Sequence, residues 1–283
     1  MSSRPSSNVQ QARQALADRL REIRERAGLT ATELANRAGW HQTKVSKLEH
    51  CVTSPSVEDI RTWCQLCDAT DLTEDLIASA QAVNSAYVEW KRRHRAGLRK
   101  IQEEYVPLWK RTTRFRIYES GVIPGLFQVP GYAEAVLRSV IAFNRIPDDL
   151  AEAVAARMER RRVIEEGQRT FAVVLEEQAL RTRFGSRAAM AEQLGYLLTV
   201  MTRPNVSVAI IPADTPREAM PPLNGFWIYD SDRVITELLT AEITVTQPSE
   251  TSVYERAFAV LTAMAVTGDE ARALVQAALA DLR

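Results

Sequence analysis

Side chains able to contact nucleic acid are concentrated between Gly39 and Glu49. This stretch carries an imidazole, an amide, two hydroxyls and two ammonium groups, contributed by His41, Gln42, Thr43, Lys44, Ser46 and Lys47. Val45 and Leu48 lie among them at helical spacing, which predicts a short helix with the polar residues on its outer face. A side-chain amide can bond to both N6 and N7 of adenine, and an ammonium group suits guanine or a phosphate oxygen. The stretch therefore predicts a helix that contacts DNA.

The preceding helix is predicted from its two ends. Thr30 and Glu33 have the spacing of a capping box, in which the hydroxyl accepts from the Glu33 amide and the carboxylate reaches back. Gly39 then supplies the left-handed residue that ends a helix. Two short helices joined by a tight glycine turn, the second with polar groups outward, form a helix-turn-helix.

Three runs of residues follow one another in this region. They are Leu29-Thr30-x-x-Glu33-Leu34-Ala35-x-x-Ala38-Gly39, Val45-Ser46-Lys47-Leu48-Glu49, and Pro55-Ser56 followed by Ile60. In this order they resemble the Xre/Cro/cI-type helix-turn-helix of bacterial regulators, over about one quarter of the chain. The chain departs at Ala31, where the family usually has Gln for a phosphate or base contact. It departs again at Cys51, where the family usually has Gly, so that turn is expected to be built differently.

Eight residues are predicted to contact DNA. They are Thr30, Arg37, His41, Gln42, Thr43, Lys44, Ser46 and Lys47. Gln42 is assigned to an adenine, and Lys47, one turn on, to a guanine or a phosphate. Thr43 and Lys44 share the exposed first turn and could reach base edges or phosphates. Each side chain could instead be only solvent-exposed, but the surrounding pattern argues against that alternative for Gln42 and Lys44.

The other predicted contacts are to the DNA backbone. Thr30 and Arg37 are assigned to phosphates. His41 stands at the N-cap of the second helix, where its ring could accept from a helix amide or touch a phosphate. For Ser46 the resemblance implies a packed or phosphate-facing side chain.

Composition limits the class of protein. The 283 residues contain 36 Lys plus Arg and 36 Asp plus Glu, so the whole-chain charge says nothing about nucleic acid. Between Gln10 and His50, eight basic residues face five acidic ones, which is the sign expected for a DNA-binding segment. No apolar run approaches a membrane span, and the first residues lack the apolar core of a signal peptide. A cytoplasmic protein with no membrane partner is expected.

The cysteines could be ligands or core residues. Cys64-x-x-Cys67, with Cys51 and His50 nearby, could supply metal ligands or a redox pair. The alternative is that the pair forms part of the buried stripe of a helix, because a free cysteine behaves as a small apolar residue. No second cysteine pair completes a zinc pattern, so the core alternative is favoured. We predict no metal and no cofactor.

Four segments are predicted along the chain. Residues 1–10 are expected to be a disordered lead-in, 11–84 the helix-turn-helix domain, 85–116 a basic helical connector and 117–283 a regulatory, partner-binding and dimerisation domain. From Glu89 to Arg116 ten basic residues face three acidic ones, which could add phosphate contacts or form a solvated, ion-paired face.

The predicted fold is mainly α, with a five-helix N-terminal domain and a C-terminal α+β domain containing a small mixed sheet. Strands are predicted at Phe171–Leu175, Val206–Ile211, Gly225–Tyr229, Val234–Leu239 and Glu242–Thr246. Helices are predicted at Gly131–Val140, Asp148–Glu166, Ala188–Met201, Glu250–Val266 and Asp269–Leu282.

The C-terminal domain also carries a recurrent order of residues. It runs through Ile123-Pro124-Gly125-Leu126-x-Gln128-x-x-x-Tyr132-Ala133, Leu175-Glu176-Glu177-x-Ala179-Leu180-Arg181, Pro204-Asn205-Val206 and Phe226. This order is similar to the uncharacterised C-terminal domain of many actinobacterial Xre-type regulators, the WhiJ-like group. The resemblance implies a transcriptional regulator, often found beside a small acidic partner protein, and implies no known ligand.

Nine polar residues of the C-terminal domain are predicted to line a site. They are Tyr118, Glu119, Gln128, Tyr132, Arg157, Arg160, Glu176, Glu177 and Glu237. Arginines with carboxylates and tyrosines would suit a small polar or anionic ligand, or a partner protein. The alternative for any one of them is a structural ion-pair network.

Three classes of function remain to be compared. The first is a sequence-specific transcriptional regulator, expected to act as a homodimer on an inverted repeat because one helix contacts few base pairs. The second is an adaptor, an antitoxin-like or toxin-like member of a pair, whose DNA binding is autoregulatory. The third, an enzyme, has little support, because the chain has no Walker, dinucleotide-binding, zinc-protease or nucleophile-elbow motif. His41, His50 and His94 all precede the second domain, which excludes a histidine-dependent triad there. Carboxylate or arginine chemistry, such as nucleotide or glycoside hydrolysis, stays open but has no motif in its favour.

Overall fold

The computed structural model describes residues 7–82, 87–89, 97–166, 168–239 and 241–282. The chain forms two compact units. The first contains Met1–Tyr87 with Thr244–Thr251, and the second contains Val88–Ile243 with Ser252–Arg283. Across the described ranges, no helix is both long enough and apolar enough to cross a membrane.

The first unit contains the five predicted helices. They are α1 (Ser7–Arg26), α2 (Ala31–Ala38), α3 (Gln42–Glu49), α4 (Val57–Leu66) and α5 (Thr73–Ala82). Thr30 and Glu33 form the predicted capping box, and Gly39 ends α2 with φ of 67°. Ser56 and Asp59 form a second capping box at α4. α1 begins at Ser7, inside the predicted lead-in of residues 1–10, because its Gln-, Ala- and Arg-rich first turns favour helix.

The core of the first unit is centred on Trp63 of α4. Its ring is fully buried, and its indole N–H donates to the backbone oxygen of Leu20 at 3.0 Å. Cys64 and Cys67 are buried in the same core as free thiols, as the apolar alternative predicted. Burial raises the pKa of the Cys67 thiol to about 11, so it stays protonated and is a poor metal ligand.

A late segment of the chain belongs to the first unit. Residues 244–251 are part of it although 156 residues of the second unit, 88–243, precede them. The side-chain amide of Gln247 donates to the hydroxyl of Ser79, and the backbone N–H of Ser249 donates to Asp75 Oδ1 at 3.2 Å. Both contacts are made to α5, so this helix is held partly by residues far along the sequence.

The sheet is mixed, as predicted. Its strands are β1 (Tyr87–Glu89), β2 (Arg114–Glu119), β3 (Thr170–Glu176), β4 (Val206–Ile211), β5 (Phe226–Tyr229), β6 (Arg233–Glu237) and β7 (Ala241–Val245), in the order β1-β7-β6-β5-β2-β3-β4. β2 runs parallel to β3, which runs parallel to β4, whereas β5 is antiparallel to β2 and β6. β2 lies inside the sheet, between β5 and β3. It was not predicted as a strand, because its alternating Arg residues resemble the basic segment before it.

Helices pack around this sheet in the second unit. They are α6 (Leu98–Glu104), α7 (Val106–Arg111), α8 (Pro130–Asn144), α9 (Leu150–Arg160), α10 (Glu177–Arg181), α11 (Arg187–Val200), α12 (Pro248–Ala263) and α13 (Gly268–Ala280), α12 starting within the first unit. α9 is shorter than its predicted range, because short 3-10 turns follow it at residues 161–164. The remaining predicted helices are present with end points shifted by a few residues.

The predicted connector belongs in part to the fold of the second unit. Its residues 85–86 and 90–96 lie outside the described ranges. From Leu98 onward, α6 is buried against Leu137 and Ala153 of neighbouring helices. The carboxylate of Asp149 accepts from the backbone N–H of Leu98 at 2.9 Å and so caps α6. Residues 98–111 therefore form helices whose apolar side chains pack in the second unit, while Arg99, Lys100, Lys110 and Arg111 stay exposed.

Candidate functional site

The first candidate site is the exposed face of α3. His41 is its N-cap, and His41 Nδ1 accepts from the backbone N–H of Thr43 at 3.3 Å and lies 2.8 Å from the Thr43 hydroxyl. Of the two alternatives for His41, the structure shows the helix-capping one. Thr30 is likewise engaged, because its hydroxyl belongs to the capping box of α2.

The ammonium group of Lys44 makes its contacts within the first unit. Its ammonium group is 2.5 Å from Asp59 Oδ1 of α4 and 4.2 Å from the centroid of the Trp40 ring. The side chain is 41% exposed and ties α3 to the start of α4. A contact to a base, as predicted for Lys44, would require the ion pair with Asp59 to open. The sequence-based assignment gave no sign of this competitor, which lies fifteen residues away.

The remaining predicted contacts of this unit are exposed. Gln42, Ser46 and Lys47 project from α3, and Arg37 projects from the last turn of α2. Within the described ranges, the side chains of Gln42 and Lys47 have no hydrogen bond or ion pair. An amide and an ammonium group one turn apart and free of protein partners are suited to contact DNA.

α3 is anchored by a buried ion pair that the sequence analysis missed. Arg24 Nε of α1 donates to Glu49 Oε1 at 2.6 Å, and its Nη2 donates to Glu49 Oε2 at 3.1 Å. Arg24 Nη1 donates to the backbone oxygen of Leu29 at 2.7 Å. Glu49 continues the buried stripe of Val45 and Leu48, and an acidic residue on such a stripe was the available signal. This bidentate pair fixes α3 against α1.

The second candidate site is a cavity of about 310 Å³ in the second unit. It brings together five of the nine predicted residues, namely Glu119, Gln128, Arg157, Arg160 and Glu237. Aromatic side chains complete the walls, and these were not predicted: Tyr105, Trp109, Trp227 and Tyr229. Apolar walls with a few convergent polar groups are typical of small-molecule sites.

The other four predicted residues serve the fold. Tyr118 donates to Glu176 Oε1 at 2.7 Å, and Glu176 also pairs with Arg217, a residue the sequence analysis did not select. Glu177 pairs with Arg181 and accepts from the backbone N–H of Ala213. The buried hydroxyl of Tyr132 accepts from the backbone N–H of Ile123 at 3.2 Å. For these residues the structural alternative holds.

Among the residues that the structure describes, the two cavity arginines have no carboxylate in ion-pair contact. Arg157 donates to two neutral amide oxygens, Gln102 Oε1 at 3.1 Å and Gln128 Oε1 at 2.7 Å. The Arg160 guanidinium lies 4.0 Å from the centroid of Trp109, and its buried Nε has no hydrogen-bond partner. Burial lowers the pKa of Arg157 to about 10, and burial together with Arg157 lowers that of Arg160 to about 9. Both remain cationic at pH 7.

Glu119 is a half-buried acid of this cavity. The indole N–H of Trp227 donates to Glu119 Oε1 at 2.9 Å. Burial, and secondarily the charge of Glu237, raises the pKa of Glu119 to about 8, so the carboxyl is mainly neutral at pH 7. Gly225 is required beside it, because a Cβ at that position would collide with the Glu119 carboxyl.

Two sequence families match two parts of the chain. The sequence profile of a family described as a helix-turn-helix domain matches residues 15–78. A second profile, described as a domain of unknown function (DUF5753), matches residues 102–277. The chain belongs to the DUF5753 family. The helix-turn-helix match indicates a DNA-binding regulator and lies within the first unit, whereas the DUF5753 match includes the cavity.

Other comparisons add little to this identification. No curated protein matches the chain. A solved structure of TrmBL2, titled an archaeal chromatin protein with a novel mode of DNA binding, aligns over 89% of this chain and 99% of its own. Its sequence identity is 10% and its TM-score 0.30, so the alignment carries no argument about fold or function.

Proposed function

We propose that the protein is a sequence-specific transcriptional regulator of the Xre type, in the WhiJ-like group, acting in the cytoplasm. The observation that carries the proposal is the face of α3, where Gln42 and Lys47 are exposed and have no side-chain partner in the described part of the chain. The ion pair between Arg24 and Glu49 supports it, because a helix fixed to its neighbours presents those side chains in one geometry.

A homodimer on an inverted repeat is part of the proposal. One recognition helix contacts only a few base pairs, so useful affinity generally requires two copies. The second unit is the proposed source of the dimer interface, and its cavity is the proposed site of control by a small ligand.

The cavity favours a small ligand over a small acidic partner protein as the effector. An acidic partner protein could bind arginines of α9 and of the turn that follows it, but Arg157 and Arg160 line the cavity. Arg161 lies over the ring of Tyr196, and Arg162 pairs with Glu159 at 3.0 Å. Four arginines engaged within the unit leave little basic surface on this helix for an acidic protein.

The proposal is tested by binding to DNA at several salt concentrations. The full chain is titrated against its own upstream DNA and against a scrambled duplex of equal length. Specific binding that weakens steeply with salt is expected, because phosphate contacts release counterions. Equal affinity for both duplexes at every salt concentration would contradict the proposal for that DNA, and selection from a random library would then decide whether any sequence is preferred.

Gln42→Ala should lower the affinity for the preferred DNA by about 1–3 kcal/mol, because a bidentate amide–adenine contact is lost. The loss should be confined to one base pair, at which the variant no longer discriminates. The measurement is a competition series in which each position of the preferred DNA is changed in turn. A uniform loss on all duplexes would show that Gln42 contacts the backbone.

Lys47→Ala should weaken binding nearly equally on all sequences and reduce the slope of log K against log salt by about 1, if its ammonium meets a phosphate. Lys44→Ala is the matched control on the same helix, because Asp59 already neutralises that ammonium group. A larger change in salt slope for Lys44→Ala than for Lys47→Ala would reverse the two assignments.

A further inference from the structure

A second cavity adjoins the one that contains the arginines. It has a volume of about 410 Å³ and shares Val140, Arg157 and Glu237 with the first. Its walls are mainly hydrocarbon, from Leu98, Ile101, Leu137, Phe143, Leu238 and Leu239. The two cavities therefore meet at Arg157, with a cationic aromatic chamber on one side and an aliphatic channel on the other.

The aliphatic channel opens at exposed apolar side chains. Phe143 of α8 is 67% exposed and Leu239 is 74% exposed, although both line the channel. Large apolar side chains exposed together at the mouth of a cavity mark a binding surface more often than isolated ones do. The two cavities share Val140, Arg157 and Glu237, so a single elongated molecule that passes Arg157 would occupy both.

The chamber selects for negative charge. Within the described ranges, no carboxylate lies within ion-pair distance of Arg157 or Arg160. The side-chain donors of Arg157 go to neutral amides, and Arg160 Nε has no acceptor. Glu237 is exposed and lines both cavities. Its single negative charge offsets only part of the positive charge of the two arginines. A buried donor without a partner is costly, and an anionic oxygen would satisfy it.

The aromatic rings of the chamber limit what else can enter it. Trp227 stacks on Trp109 with ring centroids 5.7 Å apart and planes inclined by 9°. Arg160 lies 4.0 Å from the centroid of the same Trp109 ring. Because the ring of Trp109 already contacts Trp227 and Arg160, it is poorly placed to stack on a flat ligand. The apolar part of a ligand is thus directed into the aliphatic channel.

We propose that this double cavity binds an amphipathic anion, with a carboxylate or phosphate head between Arg157 and Arg160 and a hydrocarbon body along the aliphatic channel. The inference deepens the proposed function, because it names the class of molecule that would act on the second unit. A fatty acid and an alkyl phosphate share this chemistry, and the experiment separates them.

The test is calorimetric titration of the full chain with decanoate, decyl phosphate, decanol and acetate, each below its micellar concentration. Decanoate or decyl phosphate should bind at least about tenfold more tightly than decanol, which has the same tail without the charge. Acetate, which has the charge without the tail, should bind more weakly than decanoate. The tighter of the two anions identifies the head group.

Variants locate the two ends of the ligand. Arg160→Gln should weaken decanoate binding about tenfold or more, because a charge-assisted bond is lost. Arg162→Gln is the matched control two residues away, whose side chain pairs only with Glu159 at the surface. Phe143→Ser should weaken decanoate and leave acetate unchanged. If Arg160→Gln does not fold, the comparison of decanoate with decanol on the unmodified chain still decides the question.

Three results would overturn the inference. They are equal affinity for decanol and decanoate, no binding of either anion, and equal losses for Arg160→Gln and Arg162→Gln. The same preparation is also titrated with DNA, so the two proposals fail separately. Specific DNA binding without anion binding overturns only the proposal of an amphipathic anion as ligand. Anion binding by a chain that shows no preference for any DNA sequence overturns only the proposed regulator.

Discussion

Replacing Glu49 with alanine should destabilise the first unit by about 3–5 kcal/mol, because it leaves the Arg24 guanidinium buried without its counter-charge. The Arg24 side chain is only 10% exposed, and two of its donors end on the Glu49 carboxylate. The measurement is hydrogen exchange of the full chain followed by mass spectrometry. Faster exchange should appear in the peptides of α1 and α3 and not in those of the second unit.

The control for Glu49→Ala is Glu25→Ala. Glu25 also contacts Arg24, at 3.5 Å, but its side chain is 58% exposed, so its removal should cost less than about 1 kcal/mol. The double variant Arg24→Met, Glu49→Leu should recover much of the stability, since a buried ion pair can often be exchanged for apolar residues of similar size. Equal effects of Glu25→Ala and Glu49→Ala would show that the buried pair has no special role.

Glu119→Gln should stabilise the second unit at pH 8 by about 4 kcal/mol relative to the unmodified chain. The pKa of Glu119 is raised from 4.5 to about 8 by burial. A carboxyl with a raised pKa contributes full stability below pH 4.5, and this contribution falls as the pH rises toward 8. Glutamine is neutral throughout and keeps an oxygen for the indole N–H of Trp227.

The measurement is the unfolding temperature of both proteins from pH 5 to pH 8.5. The curves should nearly coincide at the acidic end and separate as the pH rises. Glu237 and the two cavity arginines share the cavity with Glu119. With pKa values of about 10 for Arg157 and about 9 for Arg160, the arginines stay mainly cationic over this range. Glu192→Gln, an exposed position on α11, is the control and should follow the unmodified chain. Parallel curves for Glu119→Gln and the unmodified chain would contradict the raised pKa.

The helix-turn-helix could be predicted because its signals are local. A capping box spans four residues, and a left-handed glycine acts at its own position, so neither depends on the rest of the chain. The contacts of the same unit that could not be predicted from the sequence join residues far apart in the chain. Asp59 neutralises Lys44 from another helix, and Arg24 meets Glu49 across 25 positions. Nothing in the spacing of either pair indicates the contact.

The cavity could be predicted only in part, for a related reason. Arg157 and Arg160 lie three apart on one helix and so share a face, which the sequence does show. Tyr118 and Glu119 are neighbours on β2, and successive strand residues point to opposite faces, so they could not both line one site. Trp227 reaches the cavity because its strand pairs with β2, opposite Ile117. The two paired residues are more than a hundred positions apart in sequence, so no local pattern reveals the contact.

The placement of residues 244–251 has a consequence for how the protein is made. A nascent chain leaves the ribosome from its N-terminus, so α1 to α5 emerge long before the segment that contacts α5 has been synthesised. The DNA-contacting unit acquires its last residues only when almost nine-tenths of the chain has been translated. Prematurely terminated products ending before Thr244 thus carry a recognition helix whose unit lacks that closing segment.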